Sequence, residues 1–204
     1  MQGYNPLKTE EKLNLNPAVF LDRDGVLNKD PPHYAHRLDQ LELIQRSGKA
    51  VKLLNEHGYL VIIISNQSGV ARGYYTEEDV TIFNNALREK IQECGGVVNA
   101  VYYCPHHPDA KIDKYRMDCD CRKPGPGMLT KAAKEHHIDL KRSYVVGDKL
   151  SDIKAGKEAG CKTILVLTGH GKEEVSGMKE NNCPVARDLY EAVNKYIIGE
   201  SNVS

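Results

Sequence analysis

Short apolar runs alternate along this chain with longer segments whose apolar positions recur every three or four residues. The first run, Ala18-Val19-Phe20-Leu21, ends abruptly in Asp22-Arg23-Asp24-Gly25. The second, Tyr59 to Ile64, is rich in β-branched residues and stops at Ser65-Asn66-Gln67-Ser68-Gly69. Val97 to Tyr103, Tyr144-Val145-Val146 and Thr163 to Leu167 follow, with a weaker run near Val185. Runs of this length, bounded by Gly, Pro and Asn, predict buried strands. Between them the pattern is helical. Ser47 is placed to cap a helix reaching about His57, with Val51 and Leu54 on its apolar face and Gly58 just past its end. Thr76-Glu77-Glu78-Asp79 fits a capping box that opens a long helix carrying Val80, Phe83, Leu87 and Ile91, and Gly95-Gly96 ends it. Pro126 starts a helix to about His137, Ser151 and Asp152 open one that Gly160 closes, and a last helix runs from about Leu189 to Ile197.

Strands that alternate with helices predict an α/β fold: a single Rossmann-like, doubly wound parallel sheet covered on both faces. No internal repeat or low-complexity tract interrupts it. Residues 1–16 are polar and read as a flexible N-terminal extension, residues 17–199 as the domain, and 200–204 as a C-terminal tail.

Composition narrows the function classes. Lys plus Arg and Asp plus Glu both number 28, so the net charge is zero and nothing calls for a nucleic-acid or acidic-membrane partner. No apolar run approaches the ~18 residues of a membrane span, and Met1 to Asn16 lacks an apolar signal core. The expected setting is therefore the cytoplasm, where the six cysteines do not form a disulfide framework. A chain of 204 residues without Trp and with two Phe builds its core from aliphatic side chains. A monomer is expected.

An isolated Asp-x-Asp-Gly reads as a solvated turn. Here, however, polar motifs follow the first, second and fourth predicted strands, and parallel strands bring all three to one edge, where ligands bind in open α/β sheets. Asp22 and Asp24 then share one side of an extended chain and repel each other unless a cation lies between them. Asp22 is the candidate nucleophile, since carboxylates form covalent phosphoryl intermediates. Ser65 and the backbone N–H groups after it suit the oxygens of a transferring phosphoryl group, and Lys123 adds a positive charge there. Asp148 completes an oxygen site for Mg²⁺ with Asp22 and the main-chain carbonyl of Asp24. Asp152 reads as a helix cap or as an acceptor behind those ligands.

Cys104-Pro105-His106 and Cys119-Asp120-Cys121 form a second constellation in an irregular segment. Three thiolates and one imidazole make a closed tetrahedral Zn²⁺ set with no open position, hence a structural one that staples the loop before Arg122 and Lys123. His107 competes with His106 for the fourth place. Cys94, Cys161 and Cys183 show no partner pattern and read as small apolar residues.

Asp22-Arg23-Asp24-Gly25, Ser65-Asn66-Gln67-Ser68-Gly69, Arg122-Lys123-Pro124 and Gly147-Asp148-Lys149-Leu150-Ser151-Asp152 resemble the four motifs of haloacid dehalogenase-like phosphatases. The two cysteine motifs and Asn66 to Gly73 are most similar to the D-glycero-D-manno-heptose 1,7-bisphosphate phosphatases within that superfamily. The resemblance spans about Ala18 to Gly169 and implies a fold without a large cap domain. It also implies an Mg²⁺-dependent phosphatase of nucleotide-activated heptose biosynthesis that removes the C7 phosphate through an aspartyl phosphate. Asp22 would attack, Asp24 would act as acid and base, and Ser65 and Lys123 would hold the phosphoryl oxygens. Asp30, His33, Tyr34, Asn66, Gln67, Ser68, Arg72, Arg122 and Lys149 would contact the phosphorylated sugar, with Arg122 on its sugar or second phosphate. Pro31-Pro32 departs from the pattern of that loop. Histidinol-phosphate phosphatases share most of these motifs, zinc loop included. A non-catalytic zinc-stapled binding protein is a third reading, which the intact Asp22, Asp24, Lys123 and Asp148 argue against.

Overall fold

The computed structural model of the chain describes residues 15–180 and 183–201. Six strands, β1 (Ala18–Leu21), β2 (Leu60–Asn66), β3 (Ala100–Cys104), β4 (Tyr144–Gly147), β5 (Lys162–Val166) and β6 (Val185–Ala186), form one sheet in the order β3-β2-β1-β4-β5-β6. Every pairing is parallel. The strand order reverses between β1 and β4, which makes their carboxyl ends the topological switch point.

The two-residue period of each strand sends its side chains to opposite layers. Val19, Leu21, Val61, Ile63 and Val146 pack with Val51 and Leu54 of α1 (Ser47–Glu56) and with Phe83, Leu87 and Ile91 of the long helix Glu77–Glu93. Ala18, Phe20, Ile62, Ile64 and Val145 face Met128, Leu129 and Ala132 of Gly127–His136 and Ala155 of Leu150–Glu158. Each such aliphatic side chain removed from water contributes roughly 1.5–3 kcal/mol before entropy is charged against it, so the two layers hold the sheet edge rigidly. In chain order the remaining helices are α2 (Ser68–Ala71), α3 (Glu77–Glu93), α4 (Gly127–His136), α5 (Leu150–Glu158), α6 (Gly171–Glu174) and α7 (Leu189–Ala192), which continues through a π-helical stretch, Val193–Ile197, into α8 (Ile198–Ser201).

The predicted alternation holds, with local differences. Ser47 does not cap α1: Arg46, at φ 66°, occupies that position. The Ser47 hydroxyl instead donates to the Leu27 carbonyl (2.9 Å), tying α1 to the loop after β1. The capping box of α3 is present, with the Asp79 amide donating to Thr76 Oγ1 at 3.1 Å. Strand β3 begins later than predicted, at Ala100; just before it Asn99 donates its amide to the Val61 carbonyl and accepts the Val61 amide on its side-chain oxygen, both at 2.8 Å. The helical turns α2 and α6 were too short to show a period. Of the expected extension 1–16, residues 1–14 lie outside the described residues, and Asn16 is anchored by its amide to the His137 carbonyl (2.9 Å). Helix α8 runs into the expected tail, of which 202–204 lie outside the described residues. No helix among the described residues is long and apolar enough to cross a membrane.

Candidate active site

At the switch point the carboxyl ends of β1, β2 and β4 open into a cavity of about 1080 Å³. Asp22, Asp24, Ser65 and Lys123 all line it. The Asp22 amide donates to the Val146 carbonyl (3.0 Å), extending the sheet by one residue and fixing the carboxylate at its edge. Asp22 Oδ1 accepts the Arg23 amide (2.8 Å) and lies 2.9 Å from Lys123 Nζ, whereas Oδ2 has no partner among the described residues. Lys123 Nζ also lies 2.6 Å from Asp152 Oδ1 and donates to the Ile64 carbonyl at 3.1 Å. The Asn66 side chain clamps the Lys123 backbone through two hydrogen bonds of 3.0 Å, which carries the loop of Arg122 and Lys123 onto the end of β2.

Asp152 takes the expected place at the start of α5 and pairs with Lys123. Its Oδ2 accepts the Lys149 amide (3.0 Å) at the start of α5 while Oδ1 faces Lys123. Asp148 is fully buried: Oδ2 accepts the His170 amide (2.8 Å), and Oδ1 has no hydrogen-bond partner among the described residues. Ligand atoms of Asp22, Asp148 and Asp152 lie within 4.8 Å of one another. Burial drives the Asp22 carboxyl up to about 7; Lys123 opposes the rise, and the neighbouring Asp152 and Asp148 add to it. Burial likewise raises Asp148 to about 6. Burial alone would lower Lys123, but Asp152 and Asp22 overcome it and hold the ammonium charged. Crowded buried carboxylates with an orphaned oxygen are the donor set a hard divalent cation satisfies, so the site fits Mg²⁺. Gly25, at φ +84°, is required here, because a Cβ would run into Asp148 Oδ2.

The Asp24 carboxylate is not part of that cluster. Arg23 grips it with Nε and Nη2 at 3.0 and 2.9 Å, and the side-chain amides of Asn28 and Gln67 donate to it at 2.8 and 3.2 Å. Arg23 itself is buried, its guanidinium 4.4 Å from the Phe83 ring centre. Only an oxygen of the Asp24 main chain is left for a cation.

Of the residues expected to contact substrate, Asp30, His33, Tyr34, Asn66, Ser68, Arg72, Arg122 and Lys149 line the cavity. His33 and Tyr34 sit at φ 71° and 72°, a conformation that costs roughly 1–2 kcal/mol per non-glycine residue and turns the chain back after Pro31-Pro32. Tyr34 rests against Tyr74 and Tyr75 at 5.7 and 5.9 Å. Lys149 Nζ faces Asp30 at 3.4 Å. Two assignments change. Gln67 is 1% exposed and lies beneath the cavity with its amide bonded internally. The amide of Asn66 is spent on Lys123, so its side chain positions the site. His170, Tyr74, His36 and Ser151 also line the cavity and were missed. His170 follows β5, so counting the end of that strand with the others would have found it.

The zinc residues come together. The Cys121 and Cys104 sulfurs are 2.9 Å apart, His106 Nδ1 is 3.3 Å from Cys121 Sγ, and the Cys121 amide donates to Cys119 Sγ at 3.3 Å. Ligand atoms of all four fall within 4.8 Å of one another. His107 is not among them: its Nδ1 accepts the Asp109 amide (3.0 Å) and its Nε2 faces Arg72 at 3.4 Å. The loop is tied to α3 by Glu77, which accepts hydrogen bonds from Tyr115 (2.6 Å) and Tyr103 (2.9 Å).

A HAD-hydrolase-like family profile matches residues 120–192. The D-glycero-beta-D-manno-heptose-1,7-bisphosphate 7-phosphatase of Haemophilus ducreyi is 47% identical over 154 residues, covering 74% of this chain and 84% of that relative. The D-glycero-D-manno-heptose-1,7-bisphosphate 7-phosphatase of Chlorobaculum tepidum is 38% identical over 189 residues, covering 90% and 95%. Among solved structures, D,D-heptose 1,7-bisphosphate phosphatase from B. bronchiseptica, complexed with magnesium and phosphate, superposes with a TM-score of 0.80 at 32% identity and covers 90% of this chain and 99% of its own.

Proposed function

This chain belongs to the heptose-1,7-bisphosphate 7-phosphatase family of HAD-like hydrolases, and on that premise we propose how its site works. It is a phosphoric monoester hydrolase that removes the C7 phosphate of D-glycero-D-manno-heptose 1,7-bisphosphate, a step of nucleotide-activated heptose biosynthesis. The observation that carries the mechanism is the buried Asp22 carboxylate with Lys123 Nζ 2.9 Å from Oδ1 and Oδ2 unpartnered. Asp22 Oδ2 attacks phosphorus, the bond from phosphorus to the C7 oxygen breaks, and Asp24 gives that oxygen a proton. Asp24 then takes a proton from water as the water attacks the aspartyl phosphate, which returns Asp22 and releases phosphate. Ser65 and Lys123 hold the phosphoryl oxygens. Asp22, Asp148 and the Asp24 main-chain carbonyl would hold Mg²⁺, which when bound offsets the negative charge on the phosphoryl group. Asp152 serves Lys123 instead.

Cys104, His106, Cys119 and Cys121 would hold a structural Zn²⁺, which when bound fixes the loop leading into Arg122 and Lys123. A cytoplasmic monomer that acts on a small phosphorylated sugar is the setting this reading implies. The named relatives favour the heptose substrate over histidinol phosphate, and the assembled cluster of Asp22, Lys123 and Asp148 speaks against a purely binding role. Turnover of heptose bisphosphate, histidinol phosphate and sugar monophosphates with Mg²⁺, in wild type and Asp22→Asn, tests the reading. The bisphosphate should be the best substrate, and Asp22→Asn should be folded and inactive. Substantial turnover by the pure variant would rule out Asp22 as nucleophile.

A further inference from the structure

Gln67 lies beneath the cavity, and its four hydrogen-bonding positions are all used. Arg23 carries only donors, so the atom facing its Nη2 at 3.3 Å must be the Gln67 oxygen, Oε1. The Tyr75 hydroxyl donates to the same oxygen at 2.8 Å. The amide cannot turn over without setting NH₂ against Arg23 and an oxygen against the Asp24 carboxylate. Its Nε2 therefore points one hydrogen at Asp24 Oδ2 (3.2 Å) and the other at Ser65 Oγ (2.6 Å).

The direction of that last bond has a consequence for Ser65. A hydroxyl has one hydrogen and two lone pairs. Because Ser65 Oγ accepts from Gln67, its own hydrogen is left over. No acceptor for it exists among the described residues, and Ser65 lines the cavity. We propose that Gln67 is a positioning residue that keeps the Ser65 hydroxyl hydrogen directed at the transferring phosphoryl group. The neighbouring sequence serves the same end. A Cβ on Gly69 would overlap the Tyr75 ring, so glycine there lets Tyr75 reach Gln67. His36 stacks on Tyr75 at 4.8 Å and 11° and holds it in place. A glutamate at 67 would accept from Ser65, draw its hydrogen away from the cavity and remove the donor.

This inference rests on the phosphatase reading, and its test separates the two. Gln67→Leu and Gln67→Glu are made in wild type and in Ser65→Ala, with zinc content and melting temperature checked for each. Residues acting as one unit are non-additive. In the wild-type background kcat on the heptose bisphosphate should fall about 10- to 100-fold with little change in KM; in the Ser65→Ala background the same changes should cost less than about threefold. Equal fold-losses in both backgrounds, or an unchanged kcat in either Gln67 variant that folds, overturn the proposal. If wild type turns over no heptose bisphosphate, the proposed substrate fails, and the same ratio is read on a small aryl phosphate.

Discussion

The Lys123 ammonium sits 2.9 Å from Asp22 Oδ1 and both side chains are buried, so the ion pair forms the floor of the cavity. With Asp152 on its other side at 2.6 Å, one lysine compensates two carboxylates. Lys123→Met leaves both uncompensated. Removing one partner from a buried pair costs about 3–5 kcal/mol, and removing a charge aimed at the reacting group costs about 10²–10³ in rate. The variant should lose at least that much kcat. Its melting temperature should drop more at pH 8 than at pH 5, where the abandoned carboxylates take up protons. Calorimetry and phosphate-release assays check both, and an unimpaired kcat would sink the assignment.

The pH dependence of Mg²⁺ binding follows from Asp22 at about 7 and Asp148 at about 6. Both are raised above the ordinary carboxylate range of roughly 4, chiefly by burial. Between those values the folded protein keeps protons that the unfolded chain has released. Without a divalent cation, stability therefore falls as pH rises through that window. Ligation needs the ionised forms, so Mg²⁺ should bind more tightly as pH rises from about 5.5 to about 7.5 and then level off. Titrating activity with Mg²⁺ at several pH values, beside melts with and without the ion, gives the answer. A half-saturating concentration identical at pH 6 and pH 8 would contradict it.

One tightly held zinc per chain is expected, distinct from exchangeable Mg²⁺, because thiolates select the softer ion and carboxylates the harder. Elemental analysis after long dialysis should find it, and the pair Cys119→Ser with Cys121→Ser should lose it. Activity should fall with the zinc, since Cys121 directly precedes Arg122 and Lys123. Protein purified without chelator and free of zinc would refute the staple.

The strands, their parallel arrangement and the convergence of Asp22, Ser65 and Asp148 were legible because buried strands are written as apolar runs and a parallel sheet forces their ends together. Side-chain direction in the loops was not. Arg23, to which the local pattern gives no role, is buried against Phe83 and organises Asp24. Gln67 reads like its neighbours in a polar turn, and only the positions of Arg23 and Tyr75 turn it inward. Ser47 carries a capping signal that the Leu27 carbonyl outcompetes. Each of these depends on a partner distant in sequence, which local pattern does not encode.

Substrate choice follows from the charge balance of the cavity. Lys123 is matched by Asp22 and Asp152, and Lys149 by Asp30. Arg122 and Arg72 face no carboxylate among the described residues. Arg122 donates only to the His106 carbonyl (3.3 Å), and Arg72 Nε is buried without a partner. Arg72 Nη2 points at His107 Nε2 (3.4 Å), but His107 Nδ1 already accepts the Asp109 amide, so the neutral ring carries its hydrogen on Nε2 and donor meets donor. Two guanidinium groups with no carboxylate partner among the described residues, beside a lysine already committed to the reacting phosphoryl group, are suited to a second anion on the same substrate. A heptose 1,7-bisphosphate should therefore react far better than the 7-phosphate. Arg122→Ala should erase much of that preference, because a charge-assisted pair is worth roughly 1.5–3 kcal/mol, or about 10- to 150-fold. Arg72→Ala should act in the same direction, and neither change should much affect the monophosphate. The measurement is kcat/KM for both sugars in the three proteins. Equal efficiency of wild type on the two sugars would remove the second phosphate from recognition and bring histidinol phosphate forward.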